Sequence, residues 1–215
     1  MSKEAEEAIE EANSLSDEEF LQRLIHPSPE SSWPEWTHPQ TGATYHLRLT
    51  RTEALTEKEV DDCLALVQQT SGDAYRASAN GWRPGAKRRE MRTAGLRYVL
   101  VRGDRHHGPL VGFVSMMLTW EAGEAVVYCY EIHLEALLRG SGLGTMLMGF
   151  VASVARRTPH VAKVMLTCFT SNSRARAFYS RLGYGVDASS PRETRELRGG
   201  RTVGSQYVIL SLVVD

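Results

Sequence analysis

Between Tyr128 and Thr145 the chain reads YCYEIHLEALLRGSGLGT, and an apolar run, MLMGFVASVA, follows. The first part has the look of a buried strand that carries one carboxylate, Glu131, among aromatic and aliphatic side chains. The second part places Gly140, Gly142 and Gly144 within five residues. Glycine admits positive φ and lets another group approach without a Cβ in the way. Strand, bare turn and helix in that order make a β-turn-α unit. In such a unit the first N–H groups of the helix can face an anion. The same glycines also suit a tight strand–helix turn that binds nothing.

Three anion-cradling patterns compete for this turn. A P-loop needs Lys-Ser/Thr after its last glycine, and Gly144 is followed by Thr145 without a lysine. A dinucleotide fingerprint needs G-x-G-x-x-G and an acid about 20 residues on. The glycines here read G-x-G-x-G, and VAKVMLT (161–167) offers no carboxylate. The third pattern, Arg-x-x-Gly-x-Gly, is met by Arg139, Gly142 and Gly144.

The rest of the chain fits around that unit. Ala5, Ala8, Ile9, Ala12 and Leu15 follow helical spacing. Ser16 with Glu19 predicts a capping box before FLQRLI, and Thr56 with Glu59 a second one. Pro27, Pro29, Pro34 and Pro39 mark an irregular arm. ATYHLRL (43–49) alternates like a strand. The helix opened by Thr56 turns Val60, Cys63, Leu64 and Val67 inward and is expected to end near Gly72. Pro84 suits the first turn of another helix, running to Gly95. Then the period changes: 96–101, 109–120 and 125–135 read as an antiparallel meander. A helix from about Gly142 to Arg157, a strand at 162–169, a helix from Asn172 to Leu182 and a strand from Tyr184 follow. Residues 188–204, polar and rich in Gly and Arg, read as a loop, and SQYVILSLVV (205–214) closes the chain as a strand.

Composition narrows the partners. Lys and Arg number 25 against 26 Asp and Glu. The balance gives no electrostatic footprint for nucleic acid, so recognition by charge must be local. Cys63, Cys129 and Cys168 are odd in number and far apart, which disfavours a disulfide framework and a metal knuckle. His106 and His107 lack a third ligand, so no metal is expected. The acidic N-terminus is no signal peptide. No window reaches the length of a membrane span. A soluble, intracellular protein without a membrane partner is expected.

With Arg139, Gly142 and Gly144, the strand before them, the strand KVMLTCF and the run NSRARAFYSRLGY, the chain resembles the GNAT acetyltransferases. There R/Q-x-x-G-x-G/A opens the helix at the pantetheine-pyrophosphate site. Asn172, Ala175, Phe178, Tyr179, Gly183 and Tyr184 match the family's last helix. The resemblance covers roughly 44–215, with 1–43 as a helical extension and arm. It implies an α/β GNAT fold: a mixed, mostly antiparallel, splayed sheet flanked by helices.

VVYCYEIHLE, KVMLTCFTSN, AYRASANGW with KRREM, and DASSP are similar to the NatD family of histone N-terminal acetyltransferases. That narrower resemblance implies acetyl-CoA as cosubstrate and, as partners, histone 4 and histone 2A tails that start Ser-Gly-Arg-Gly. It also implies a monomer in nucleus and cytoplasm, with no direct nucleic-acid contact. Ile132, His133, Leu134, the loop Arg139, Gly140, Ser141, Gly142, Leu143, Gly144 and Thr145, and Asn172 would meet acetyl-CoA. Tyr75, Tyr130, Thr167, Ser189 and Tyr207 would line the peptide site, with Glu121 matching a family acid. Glu131 would be the base, with Tyr130 as the second catalytic residue. The family has an acid where Thr119 stands and a tryptophan where Asn80 stands.

Each residue also has a plainer reading. An acid in a central strand must be paired or used, so Glu131 is either the base or one half of a salt bridge to a buried arginine. Tyr179 packs on pantetheine or protonates the leaving thiolate. Trp82 is either core or a substrate contact. Lys87–Glu90 reads as a solvated helix face. The cysteines are too scattered to demand an acyl-enzyme, so direct transfer is expected. Three functions stand side by side: N-terminal acetylation of histones, acetylation of lysine or a small amine, and an inactive acyl-CoA- or histone-binding module.

Overall fold

The computed structural model describes residues 2–25, 33, 35–103, 108–192, 194–196 and 202–214. Pro27, Pro29, Pro34, His106 and His107 lie outside the described residues. Both capping boxes form. Ser16 accepts from the Glu19 N–H and Thr56 from the Glu59 N–H, and each glutamate returns a bond to the cap. They open α2 (Asp17–Phe20), which continues as a π-helical turn at Leu21–Ile25, and α3 (Glu57–Ala77). The other helices are α1 (Lys3–Ser14), α4 (Pro84–Glu90), α5 (Leu143–Arg157) and α6 (Ser173–Arg181).

One sheet of eight strands runs β1 (Glu35–Thr37), β2 (Thr44–Arg51), β3 (Arg97–Gly103), β4 (Leu110–Glu121), β5 (Glu124–Leu134), β6 (Lys163–Phe169), β10 (Tyr207–Val213), β7 (Gly185–Val186) in spatial order. Every pairing is antiparallel except β5 with β6. That parallel ladder covers only Val126 to Cys129 of β5. From Tyr130 onward the two strands have parted, which opens the sheet in its middle.

Four expectations are corrected. The proline arm carries a short edge strand, β1, against β2. α3 runs through Gly72 to Ala77, because Gly72 is not in the left-handed conformation that would stop a helix. Its bare Cα leaves room for the Arg76 guanidinium, 3.2 Å from where a Cβ would stand. α4 stops at Glu90, five residues short of the expected end. The stretch 188–204 is no plain loop, since it contains a two-stranded ribbon of β8 (Thr194–Glu196) and β9 (Thr202–Gly204).

Alternation divides the sheet between two cores. Val114, Met116, Leu118, Val127, Cys129, Val164, Leu166, Val208 and Leu210 join α1, α2 and α5 on one face. Tyr98, Leu100 and Phe113 meet Val60, Cys63, Leu66 and Val67 of α3 on the other. The N-terminal helices belong to the first core through Ile9, Leu15, Phe20 and Ile25. Arg97 ties them down. Only 3% exposed, it pairs with Asp17 at 2.6 Å and donates to the carbonyls of Leu15 and Asn13. Its guanidinium lies 4.1 Å from the Phe20 ring centroid.

Breaking a buried pair from one side leaves the partner groups unsatisfied. Arg97→Met should therefore cost about 2–3 kcal/mol. It should also release the first 25 residues to limited proteolysis before the rest unfolds. Thermal denaturation with proteolytic mapping checks both, and a melting point equal to wild type would mean that Arg97 holds nothing.

Candidate active site

An extra residue in β5 builds the site. Across β4, Ser115 faces Glu131 while Met116 faces Cys129, so Tyr130 is left without an opposite number. Such a bulge bends the strand and breaks the alternation of faces. Cys129 points into the α5 core. Strict alternation would send Glu131 there too. Because Tyr130 is extra, Tyr130 and Glu131 both turn toward α3 and α4: Tyr130 packs against the α3 core, and Glu131 meets Tyr75 and Lys87. Ile132 then returns to the α5 side and His133 to the α3 side.

Where β5 leaves β6, a cleft of about 610 Å³ opens. Ile132, His133, Leu134, Arg139, Gly140, Gly142, Gly144, Thr145, Asn172 and Tyr179 line it, so ten residues expected at the cofactor come together there. Ser141 and Leu143 are not among the lining residues: Ser141 Oγ donates to the Leu138 carbonyl, and Leu143 is fully buried. Thr70, Ser71, Arg174, Phe178 and Arg181 also line the cleft and were not anticipated. The two arginines were legible as cations on the helix opened by Asn172, whose side chain caps it by accepting from the Ala175 N–H. Thr70 gave no signal at all.

The glycines have separate tasks. Gly142 caps α5 with φ +94°, and nothing stands within 4 Å of where its Cβ would be. Gly142, Gly144 and Thr145 at the start of α5 line the cleft together with Arg139, Arg174 and Arg181. That is the composition of an anion site. Gly144 instead allows close packing, since a Cβ there would meet Phe178 and Leu134 at 3.4 and 3.5 Å.

Glu131 does not line the cleft itself but bonds His133, which does, and its side chain is 10% exposed. One carboxylate oxygen, Oε1, accepts from Lys87 Nζ at 2.7 Å and from the Tyr75 hydroxyl at 3.2 Å. The other, Oε2, meets His133 Nε2. The second ring nitrogen of His133 meets the Thr70 hydroxyl, which donates to the Leu66 carbonyl at 2.7 Å. Burial opposes ionisation of Glu131, but the charges and hydrogen bonds of His133 and Lys87 outweigh it and hold the carboxyl down at about 2. Burial, then the charge of Glu131, pushes the Tyr75 phenol up to about 12. The salt bridge is thus to a lysine, not an arginine. Lys87 is no member of a solvated face: it is 8% exposed and paired with Glu131 and Glu90.

The residues expected at a peptide fall into three groups. Tyr75, Trp82 and Tyr130 stand together beside Glu131, with the Tyr75 ring 5.3 Å from Trp82 and 5.1 Å from Phe169. The Tyr130 ring contacts Tyr128, whose hydroxyl meets the exposed Thr167 at 2.6 Å. Tyr207, 44% exposed, is the register partner of Phe169. Ser189 lies further out, its hydroxyl donating to Asp187. Glu121 ends β4, close enough to press the phenols of Tyr128 and Tyr130 upward, behind burial as the larger cause. An acid-edged aromatic surface and an anion-binding cleft thus meet at one buried carboxylate.

Fold and site together define an acetyltransferase of the GNAT class, and the chain belongs to that family: the GNAT acetyltransferase model matches residues 54–184. The chain is 33% identical over 178 residues to N-alpha-acetyltransferase 40 of Saccharomyces cerevisiae, a match covering 68% of this chain and 61% of that protein. It therefore spans less than two thirds of that relative's length. Among solved structures it resembles NAA60 of Arabidopsis thaliana in complex with a bisubstrate analogue. The TM-score is 0.54 at 11% identity, over 78% of this chain and 97% of that one. It also resembles the ribosomal-protein-S18-alanine N-acetyltransferase of Escherichia coli, with TM-score 0.50 at 18% identity over 78% and 93%. These structural likenesses show the fold.

Gly142→Glu would place a side chain and a negative charge in the space before α5, at a left-handed position that costs an L-residue about 1–2 kcal/mol. Acetyl-CoA affinity measured by calorimetry should fall at least tenfold while circular dichroism shows the fold retained. An unchanged affinity in the folded variant would remove the anion-cradle reading.

Proposed function

We propose that this protein transfers acetyl from acetyl-CoA to the N-terminal α-amine of histone 4 and histone 2A, whose tails start Ser-Gly-Arg-Gly. The observation that carries the reading is Glu131, a buried carboxylate that bonds the cleft-lining His133 through one oxygen and Tyr75, beside Trp82, through the other. The relative named N-alpha-acetyltransferase 40 supports an α-amine as acceptor. Nucleus and cytoplasm are the compartments that such a substrate implies.

The chemistry follows from the groups present. An α-ammonium has an unperturbed pKa of about 8, and only the neutral amine attacks a thioester. Glu131 takes a proton from it, directly or through water. The amine nitrogen then bonds to the acetyl carbon and gives up its second proton as the carbon–sulfur bond breaks, and coenzyme A leaves as a thiolate that picks up one proton. The net reaction releases one proton. A carboxyl held at about 2 does not store that proton at neutral pH. Glu131 therefore steadies the ammonium and passes the proton on to solvent. Backbone donors of β5 beyond Tyr130, freed from β6, are placed to polarise an acetyl carbonyl in the cleft. Tyr179 lines the cleft, and burial keeps its phenol protonated, as a proton donor to a thiolate must be.

Glu131→Gln keeps shape and removes the anion. General-base catalysis contributes about 100- to 10,000-fold, so kcat should fall by that order with acetyl-CoA affinity little changed. Raising the pH should recover part of the loss, because more of the amine is then already neutral. Near-normal kcat at neutral pH would make Glu131 structural.

The acceptor is tested separately. A Ser-Gly-Arg-Gly peptide should be acetylated on its α-amine, and the same peptide with a blocked N-terminus should be nearly inert. Mass spectrometry placing the acetyl group on a lysine side chain would shift the reading to a lysine acetyltransferase. Thr119, two residues from Glu121 on the same face of β4, is uncharged. Replacing the arginine at peptide position three should therefore cost less than a pair of acids would make it cost.

A further inference from the structure

α4 is a seven-residue helix with Lys87, Arg88 and Arg89 in a row. Arg88 lies nearer the surface and pairs with Glu57 and Asp61. Lys87 is turned inward. Its ammonium lies 5.0 Å from the Tyr75 ring centroid and 2.7 Å from both Glu131 Oε1 and Glu90 Oε1. Burying an ammonium is unfavourable unless it is paired. A helix this short could have kept it in water by turning another residue inward.

We propose that Lys87 is a positioning residue for acetyl transfer: its ammonium, with His133 on the opposite oxygen, clamps Glu131 as a fixed anion with one free lone pair directed at the incoming amine. The inference rests on the reading of Glu131 as proton acceptor and adds a residue that acts only through it.

The hydrogen-bond count supports the clamp. An ionised carboxylate offers about four lone-pair sites. Lys87, Tyr75 and His133 fill three of them. The fourth is left for a proton from substrate or from a water. The electrostatics point the same way. The groups that act on Glu131 are Tyr75 from α3, Lys87 and beyond it Glu90 from α4, Tyr98 from β3, Tyr179 from α6, and Cys129 and His133 from its own strand. Of these, His133 and then Lys87 lower the Glu131 carboxyl through charge and hydrogen bonds. Burial favours the neutral acid. Glu90, its side chain 43% exposed, shares the ammonium from the solvent side.

The clamp has a signature in pH. Removing a neighbouring cation raises the pKa of a carboxyl. In the wild type, log kcat/KM for a Ser-Gly-Arg-Gly peptide should fall toward acid with unit slope between about pH 8 and pH 5, as the amine protonates. In Lys87→Met the pKa of Glu131 should rise, His133 alone then holding it down, and where it enters that range the slope should steepen toward two. The extra loss should reach about tenfold for each pH unit below the new pKa. Lys87→Gln, which keeps a donor to Oε1 without the charge, should behave like Lys87→Met and gives the same readout if the apolar variant fails to fold. Lys87→Arg should restore unit slope. Acetyl-CoA affinity should stay within about twofold in all three, because Lys87 does not line the cleft. A uniform drop in activity that keeps unit slope in the uncharged variants would reduce Lys87 to a structural brace and overturn the proposal. Glu131→Gln measured alongside separates the two failures. If it leaves kcat intact, the proton-acceptor reading falls and takes this one with it. If it lowers kcat while the lysine variants keep unit slope, only the role of Lys87 falls.

Discussion

One unpaired residue, Tyr130, sets the arrangement on which the site depends. Were Tyr130 paired in a regular ladder, β5 would continue its alternation, and Glu131 would follow Cys129 into the apolar core around α5. Cys129 is surrounded there by apolar side chains of α5 and its neighbours, and an isolated carboxylate in such a core would take up a proton. The bulge moves the same side chain to the opposite face, where Lys87, Tyr75 and His133 receive it. The ladder between β5 and β6 ends at Cys129, one residue before the bulge. The placement of the carboxylate and the opening of the cleft therefore share one cause.

How much of this the sequence discloses depends on whether the deciding interaction is local. Both capping boxes, the glycine turn and the antiparallel meander are legible because each is fixed by residues a few positions apart. The requirement that Glu131 be paired or used is legible too, since it follows from a charge in an apolar strand. The partner is not legible. Lys87 lies 44 positions from Glu131, inside a run of cations whose pattern over seven residues is too short to show an inward face. The end of α3 was misplaced because glycine marks a helix stop only where the fold asks for positive φ, and at Gly72 it asks for room beside Arg76. β1, β8 and β9 span three residues each. Strands that short take their conformation from their neighbour rather than from any periodicity of their own.

The candidate site shows the same division. Ten residues around the cleft follow from a motif contiguous in sequence with its flanking strand and helix. Ser141 and Leu143 were included by contiguity, but a turn that bares its backbone to an anion has no need of those two side chains. One instead braces the turn through Leu138 and the other anchors the helix in the core. Thr70 and Ser71 come from α3, more than sixty positions earlier, and only the tertiary fold brings them to the cleft.

The two halves of the site are held by different elements. The anion cradle belongs to the start of α5 and to α6, whose apolar sides are anchored in the first core. Glu131 is held from α3 and α4, against the second core on the other side of the sheet. β5 is the element common to both, and its bulge is the point where the chain passes from one role to the other. Changes at the glycine turn and changes at Lys87 should therefore act on cosubstrate binding and proton transfer separately, and should add in free energy when combined, as distant sites without shared partners do. A change at Tyr130 is different. The side chain stands between the second core and the Tyr128–Thr167 surface, while its backbone carries the bulge. Tyr130→Phe leaves the bulge in place and removes only a hydroxyl, so it should weaken peptide binding more than the chemical step.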